Sequence, residues 1–321
     1  MPSAATRLLL LNNRKSPPVN TIAPVISGTV LVGQTLSTTD GTWIGTSTII
    51  YTYQWNRNGV AISGATSSTY VLVAADGGAA VTVTVTAANG GGSTSASSAA
   101  VNTLRTNLVS YWKLDEASGA RADSIGSNNL AVNGTGGVGS AAAKLGMASA
   151  QFVSANSNYL SIADNASMSA AASTSFEFAG WVYFDTLSGA VRPINKGNNE
   201  YMLQVTTTSV VMNVWCATAL RTATKSTTIN TSTWYFINGW FDTDGKLVGA
   251  AVNAGTPATT NTVTASVDDG ANGFHLGGRG GIGEYVNGRM DEVGYWKGRL
   301  LTTEERVALY NSGAGYNSFL P

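Results

Sequence analysis

Asp291-Glu292, two acids side by side in a strand-like run, are the first candidates for chemistry. Glycoside hydrolysis needs two carboxyls facing one sugar, about 5–9.5 Å apart. Neighbours on a strand point to opposite faces, so these two cannot form that pair, and no third acid follows at the needed spacing. Asp115-Glu116 has the same defect, and Asp268-Asp269 lies beside Gly270 in an expected turn. His275 is the only histidine and Cys216 the only cysteine, which excludes two-histidine zinc sites and any intrachain disulfide. At most one Ser-His-Asp arrangement remains. Phe274-His275-Leu276 reads as a short strand carrying a structural histidine. Cys216 follows the apolar run Val210–Trp215 and reads as a core or half-buried thiol. Gly277-Gly278-Arg279-Gly280-Gly281 lacks the lysine and the following helix of a phosphate-cradling loop. These residue types point to binding rather than catalysis.

Aromatic residues at strand spacing offer a different chemistry. If Phe176, Phe178 and Val182 face a core, Glu177, Trp181 and Tyr183 face outward. By the same alternation Ile237, Gly239 and Phe241 face in, while Phe236, Asn238 and Trp240 face out. Glu177, Trp181, Phe236, Asn238 and Trp240 would then form a platform on one sheet, with rings for sugar C–H faces and polar groups for hydroxyls. Cover by loops or by a neighbouring subunit is the competing reading.

The elements that must position these residues are strands. The 321 residues are 43% hydrophobic and only 11% charged, with 37 glycines, and Ser, Thr and Asn fill the gaps between apolar stretches. That mixture favours strands and turns. Eighteen basic and eighteen acidic residues cancel, so nothing draws the chain to nucleic acid or to an anionic membrane. No apolar run approaches the ~20 residues of a membrane-spanning helix. Leu8–Leu11 is shorter than the apolar core of a secretory signal, roughly 7–15 residues, so export by that route is not expected. Residues 1–22, with Pro17-Pro18, read as an extended arm that anchors the chain to an assembly.

Two domains are expected beyond the arm. In the first, Tyr51, Tyr53 and Trp55 alternate with polar residues, Asn58-Gly59 marks a hairpin, and Val81, Val83 and Val85 alternate with threonines. Together with Ala23–Gly28, Gly41-Thr42-Trp43, Ile62–Tyr70 and Asp76-Gly77-Gly78, this stretch resembles the Ig-like modules of bacterial and phage surface proteins. The resemblance implies a cysteine-free β-sandwich over 23–104, with Trp55 packed on the valines. Gly90–Ser98 has the composition of a linker and equally fits a last hairpin and strand.

The second domain, 107–317, carries one helix signal: Thr302 or Thr303 as cap, Glu305 in the first turn, and Gly313 as the stop. Its motifs run in order: Leu108–Glu116, Ala122–Gly126, Gln151–Val153, Asn158–Ile162, Ser175–Val182, Ile194–Gly197, Glu200–Leu203, Gly288–Val293 and Leu300–Glu305. They resemble a laminin-G-like, concanavalin A-like domain. The fold class implied for the chain is all-β: an Ig-like sandwich followed by a concanavalin A-like jelly roll. The family pairs first and last strands, so Tyr111–Leu114 is expected antiparallel to Val293–Trp296. The resemblance also implies Ca²⁺ near that closure, with Asp123 and Asp291 as ligands. The expected setting is a phage virion surface, with other virion proteins met through residues 1–22, a homo-oligomeric assembly and host-surface glycans as partners. A bacterial cell-surface adhesin or matrix protein is the alternative, and a glycan-active enzyme is disfavoured.

Overall fold

The computed structural model describes residues 15–315 except 47, 78, 171–173, 198–199, 217–218 and 262–266. The chain divides between Thr106 and Asn107 into two compact units. Of the expected arm, residues 1–14 lie outside the described set. Val19–Ile22 is a strand of the first unit, paired antiparallel with Thr42–Ile44.

In the first unit, Ile50–Arg57 pairs with Ala80–Asn89 over its whole length, Trp55 opposite Val83. Alternation puts Trp55, Val81, Val83 and Val85 on one face, where they are buried with Leu36 and Leu72. The Trp55 indole N–H donates to the Ser67 carbonyl at 2.9 Å, and its ring stacks on Tyr70 at 5.6 Å. Asn58-Gly59 turns the hairpin to Val60–Ala61, with φ of 48° and 78°. Two successive positive φ values are what a tight hairpin requires, and Asn-Gly adopts them readily. Gly92–Ser97 is a strand paired with Ala80–Asn89, so the glycine-rich stretch is a hairpin and not a linker.

Among the described residues, the second unit holds an eight-stranded and a seven-stranded antiparallel sheet. Their inner faces share one core. In it Phe178 stacks on Tyr295 at 4.4 Å and on Phe274 at 5.5 Å, and Trp112 stacks on Phe274 at 5.3 Å. Cys216 is fully buried there. The closing strand, Asn287–Lys297, lies at the centre of the eight-stranded sheet. Phe176–Thr186 runs along one side; Ser149–Phe152 and Leu108–Trp112 share the other. Tyr111 pairs with Gly294 and Trp112 with Val293, the expected closure.

Simple alternation breaks inside that strand. The pairing with Phe176–Thr186 slips between Gly294, opposite Ala179, and Asp291, opposite Trp181. Glu292 supplies the extra residue, at φ 50°. This is a β-bulge, and it faces Gly180, where an added Cβ would come within 2.9 Å of Val293 Cγ2. Asp291 and Glu292 are therefore not split by a regular pleat.

One helix, α1 (Thr303–Tyr310), follows the closing strand. Thr302 caps it: its hydroxyl accepts from the Glu305 N–H while the Glu305 carboxylate accepts from the Thr302 N–H. The stop is Asn311, in the left-handed conformation at φ 45°, and not Gly313. No helix among the described residues is long and apolar enough to cross a membrane.

Candidate functional site

The outward side chains of the eight-stranded sheet are where alternation predicts them, but they are covered. Glu177, Trp181, Phe236, Asn238 and Trp240 are each at most 4% exposed. The cover is α1 and the segment before it. Arg306 sends Nε and Nη2 to the two Glu177 carboxylate oxygens, both at 2.8 Å. The same carboxylate accepts from the Leu301 N–H at 2.9 Å and from Asn238 Nδ2 at 3.1 Å. The Arg306 guanidinium lies 4.1 Å over the Trp240 ring, and Trp181 packs against Phe236 and Tyr310. Asn238 Oδ1 has no partner, but both charges in the cluster are paired. The expected sugar platform is thus the seat of the terminal helix. Alternation assigns a side chain to a face and says nothing of what later chain lies on that face.

Nor do Asp123 and Asp291 assemble as calcium ligands. Asp123 accepts the N–H groups of Tyr111, Ile125 and Asn128 at 3.0, 3.0 and 3.1 Å, which occupies both oxygens in a turn. Asp291 Oδ2 accepts from the Lys144 and Leu145 amides at 2.8 and 2.9 Å; its Oδ1 is buried without a partner. Calcium takes six to eight oxygens, whereas these carboxylates are met mainly by amide donors. No group of three or more His, Cys, Asp or Glu residues among those described could hold a metal ion. Burial pushes the Asp291 carboxyl up to about 7 and that of Glu292 up to about 8. The other acid pairs also serve the fold. Asp115 accepts from the Met147 and Ala148 amides, Glu116 from the Ala122 amide, and Asp269 lies 3.6 Å from the buried Lys196 ammonium.

The other outer face differs. Register across the seven-stranded sheet aligns Ser161, His275, Asn195, Met202, Asn213 and Thr222 in one row. The adjacent row of Leu160, Leu276, Ile194, Leu203, Met212 and Ala223 faces the core, so the first row faces out. Arg192 lies over this row: its Nε meets Met202 Sδ at 3.0 Å. The chain Gly278–Tyr285 folds down as a flap. Asn195 Nδ2 donates to the Gly278 carbonyl, the Arg192 N–H to the Glu284 carbonyl, and Arg192 Nη2 pairs with Glu284 Oε1 at 3.0 Å. Arg279 Nη1 reaches Glu284 Oε2 at 3.4 Å. Tyr159 stacks on Tyr285 at 6.1 Å and meets the His275 ring edge-on at 5.3 Å.

Glycines bring the flap this close. An added Cβ at Gly278 would come within 2.3 Å of the Tyr285 ring, and one at Gly280 within 2.8 Å of the Tyr159 ring. On this face Arg192 Nη1, Asn195 Oδ1 and His275 Nδ1 are buried with no hydrogen-bond partner among the described residues. Asn195 is fully buried and Arg192 9% exposed. Burial lowers the His275 imidazole from its usual value, so it is neutral at pH 7. Each unpaired buried polar atom costs about 1–3 kcal/mol. A cationic donor, a carbonyl acceptor and an imidazole nitrogen beside two tyrosine rings are the groups that meet polyhydroxylated ligands. In the sequence His275 sits on a strand with a structural role, and nothing there singles out Arg192, Asn195 or Tyr159. The available signal was the outward position of His275 between inward Phe274 and Leu276.

The fold and this geometry define the second unit as a lectin-like β-sandwich. Residues 154–305 match the family described as the concanavalin A-like lectin/glucanases superfamily. Comparison with curated proteins finds no match. Among solved structures, domain 4 of AbnA, an extracellular arabinanase from Geobacillus stearothermophilus, is similar at TM-score 0.51 and 16% identity, covering 63% of this chain and 97% of that one. The binding domain of Paraclostridial Mosquitocidal Protein 1 is similar at TM-score 0.54 and 15% identity, covering 64% and 52%. The binding domain of botulinum neurotoxin serotype G follows at TM-score 0.51 and 13% identity, covering 64% and 51%. This chain spans about half the length of the two toxin domains. At these identities the likeness is one of fold.

Proposed function

We propose that the C-terminal sandwich is a non-catalytic glycan-binding domain and that its recognition surface is the outer face of the seven-stranded sheet. The observation that carries this is the row of unpartnered buried groups, Arg192 Nη1, Asn195 Oδ1 and His275 Nδ1, beside Tyr159 and Tyr285. Sugar hydroxyls would satisfy those atoms, and a C–H face would lie on a ring. Support of a general kind comes from AbnA domain 4, whose structure holds arabinotriose. The setting belongs to the same proposal. The chain is a phage virion surface protein, a head or tail decoration, held to the particle through the residues that precede the Val19–Ile22 strand and spaced by an Ig-like first unit. Low charge and abundant Ser, Thr and Gly support that setting, as does the motif resemblance of the first unit. Binding of the full chain to a glycan array tests the domain's role. Tyr159→Ala is expected to weaken every positive signal at least tenfold, about the worth of one good aromatic contact, read on protein whose melting curve shows that it is folded. Wild-type binding by that variant would overturn the reading.

A further inference from the structure

The charge arrangement on this face narrows the ligand class, and the narrowing rests on the glycan-binding reading above. Arg192, Arg279 and Glu284 meet under the flap. His275 is neutral, so these three charged side chains carry a local net charge of +1. One carboxylate serves two guanidinium groups, and the Arg192 contact does not use the full fork. Arg192 gives one nitrogen to Glu284 while Nη1 has no acceptor, although guanidinium groups match carboxylates two nitrogens at a time. The Arg279 contact is long, at 3.4 Å. The Glu284 side chain is 29% exposed and sits at the flap's base, with φ 59°. Beside it Gly283 has φ 110°, and Ile282 at the tip is 54% exposed. Water can therefore reach the acid, while the guanidinium behind it is buried.

We propose that the site takes a carboxylated glycan, such as a uronic or sialic acid oligosaccharide, and that Glu284 is an exchangeable internal counter-ion. On binding, the ligand carboxylate takes the place of the Glu284 carboxylate and accepts from Arg192 Nη1 and Nη2. A neighbouring sugar hydroxyl donates to Asn195 Oδ1. Glu284 swings to solvent with the flap. No bond is made or broken, and the buried Arg192 guanidinium keeps a carboxylate partner before and after, so the exchange avoids leaving it uncompensated.

The test is a binding titration of the full chain with trigalacturonate, a hyaluronan tetrasaccharide and 3′-sialyllactose, each beside its carboxyl-reduced counterpart. At least one acid is expected to bind tenfold or more tighter than its reduced form, with affinity falling as salt rises. Glu284→Gln removes the competitor and is expected to tighten the acid about tenfold relative to its carboxyl-reduced counterpart. Arg192→Met should abolish the acid preference. Should that variant not fold, Arg279→Gln, at a partly exposed position, should reduce the preference several-fold. Equal binding of acid and reduced sugar, or no response to Glu284→Gln, overturns this inference. If neutral sugars bind and Tyr159→Ala abolishes that binding, the glycan-binding reading stands and only the acid preference falls. If neither series binds, both fall.

Discussion

The two outer faces of the second unit carry similar residues and end in opposite states. Each has an arginine, half-buried on one face and buried on the other, with a glutamate, an asparagine and aromatic rings. On the eight-stranded sheet Arg306 meets Glu177 through two nitrogens, and the Leu301 amide and Asn238 complete the carboxylate. On the seven-stranded sheet Arg192 meets Glu284 through one nitrogen, and three polar atoms are without partners among the described residues, against one, Asn238 Oδ1, on the other face. Residue type does not tell seam from site here. The distinction lies in whether the polar groups are matched within the chain. A matched cluster fixes a helix to a sheet; an unmatched one is poised for a group from outside.

The largest expected effects lie on the matched face. Glu177→Ala takes the fully buried carboxylate from the half-buried Arg306 guanidinium and from the Leu301 amide, and is expected to cost about 3–5 kcal/mol. For a domain of this size that lowers the melting temperature by roughly 10 °C, read by calorimetry. Trp240→Ala, which removes the ring under Arg306, should cost a similar 3–5 kcal/mol or so. Glycan affinity per folded molecule should not change in either variant. A binding defect without a stability defect would reverse the assignment of the two faces.

Next comes the closing strand. Burial raises Asp291 to about 7 and Glu292 to about 8, both above their unfolded values. A carboxyl with a raised folded pKa binds its proton more tightly in the native state. Its favourable contribution is therefore full below the unfolded value, near 4, and is lost as pH rises through 7 to 8. Denaturant melts should show stability falling over that window. Asp291→Asn and Glu292→Gln should flatten the fall, each by its own share. A profile that rises across the window would contradict the burial of these groups.

Asn195→Ala should have the smallest effect on stability, about 1 kcal/mol or less. It loses one hydrogen bond, to Gly278, and also removes the unpartnered oxygen. Glycan binding should nevertheless drop at least tenfold, read by titration calorimetry. The contrast with Glu177→Ala, large in stability and silent in binding, is the sharpest form of the comparison.

What was legible in the sequence was local or carried by ordered motifs. Alternation in Phe176–Val182 and Trp234–Phe241 gave the correct faces, and the motif order gave the pairing of Tyr111-Trp112 with Val293-Gly294. The helix start was legible to within one residue, as Thr302 or Thr303 with Glu305 in the first turn, and Thr302 is the cap. What covered the outward face was not, because Arg306 reaches Glu177 across 129 residues of chain. The bulge at Glu292 was hidden as well, since one inserted residue leaves no mark on an apolar pattern but reverses the face of every residue beyond it. The recognition row was the least legible. Ser161, His275, Asn195, Met202, Asn213 and Thr222 come from six strands, and only register brings them together.

The central claim is that recognition takes place on the outer face of the seven-stranded sheet and not on the aromatic face beneath α1. Amide hydrogen exchange on the full chain, with and without the tightest-binding oligosaccharide of the panel, tests it most directly. Slowed exchange on binding is expected in Arg192–Asn195 and across the Gly278–Tyr285 flap, with α1 and Trp234–Asp242 unchanged. Protection confined to α1 and Trp234–Asp242, with the flap unaffected, would contradict the account.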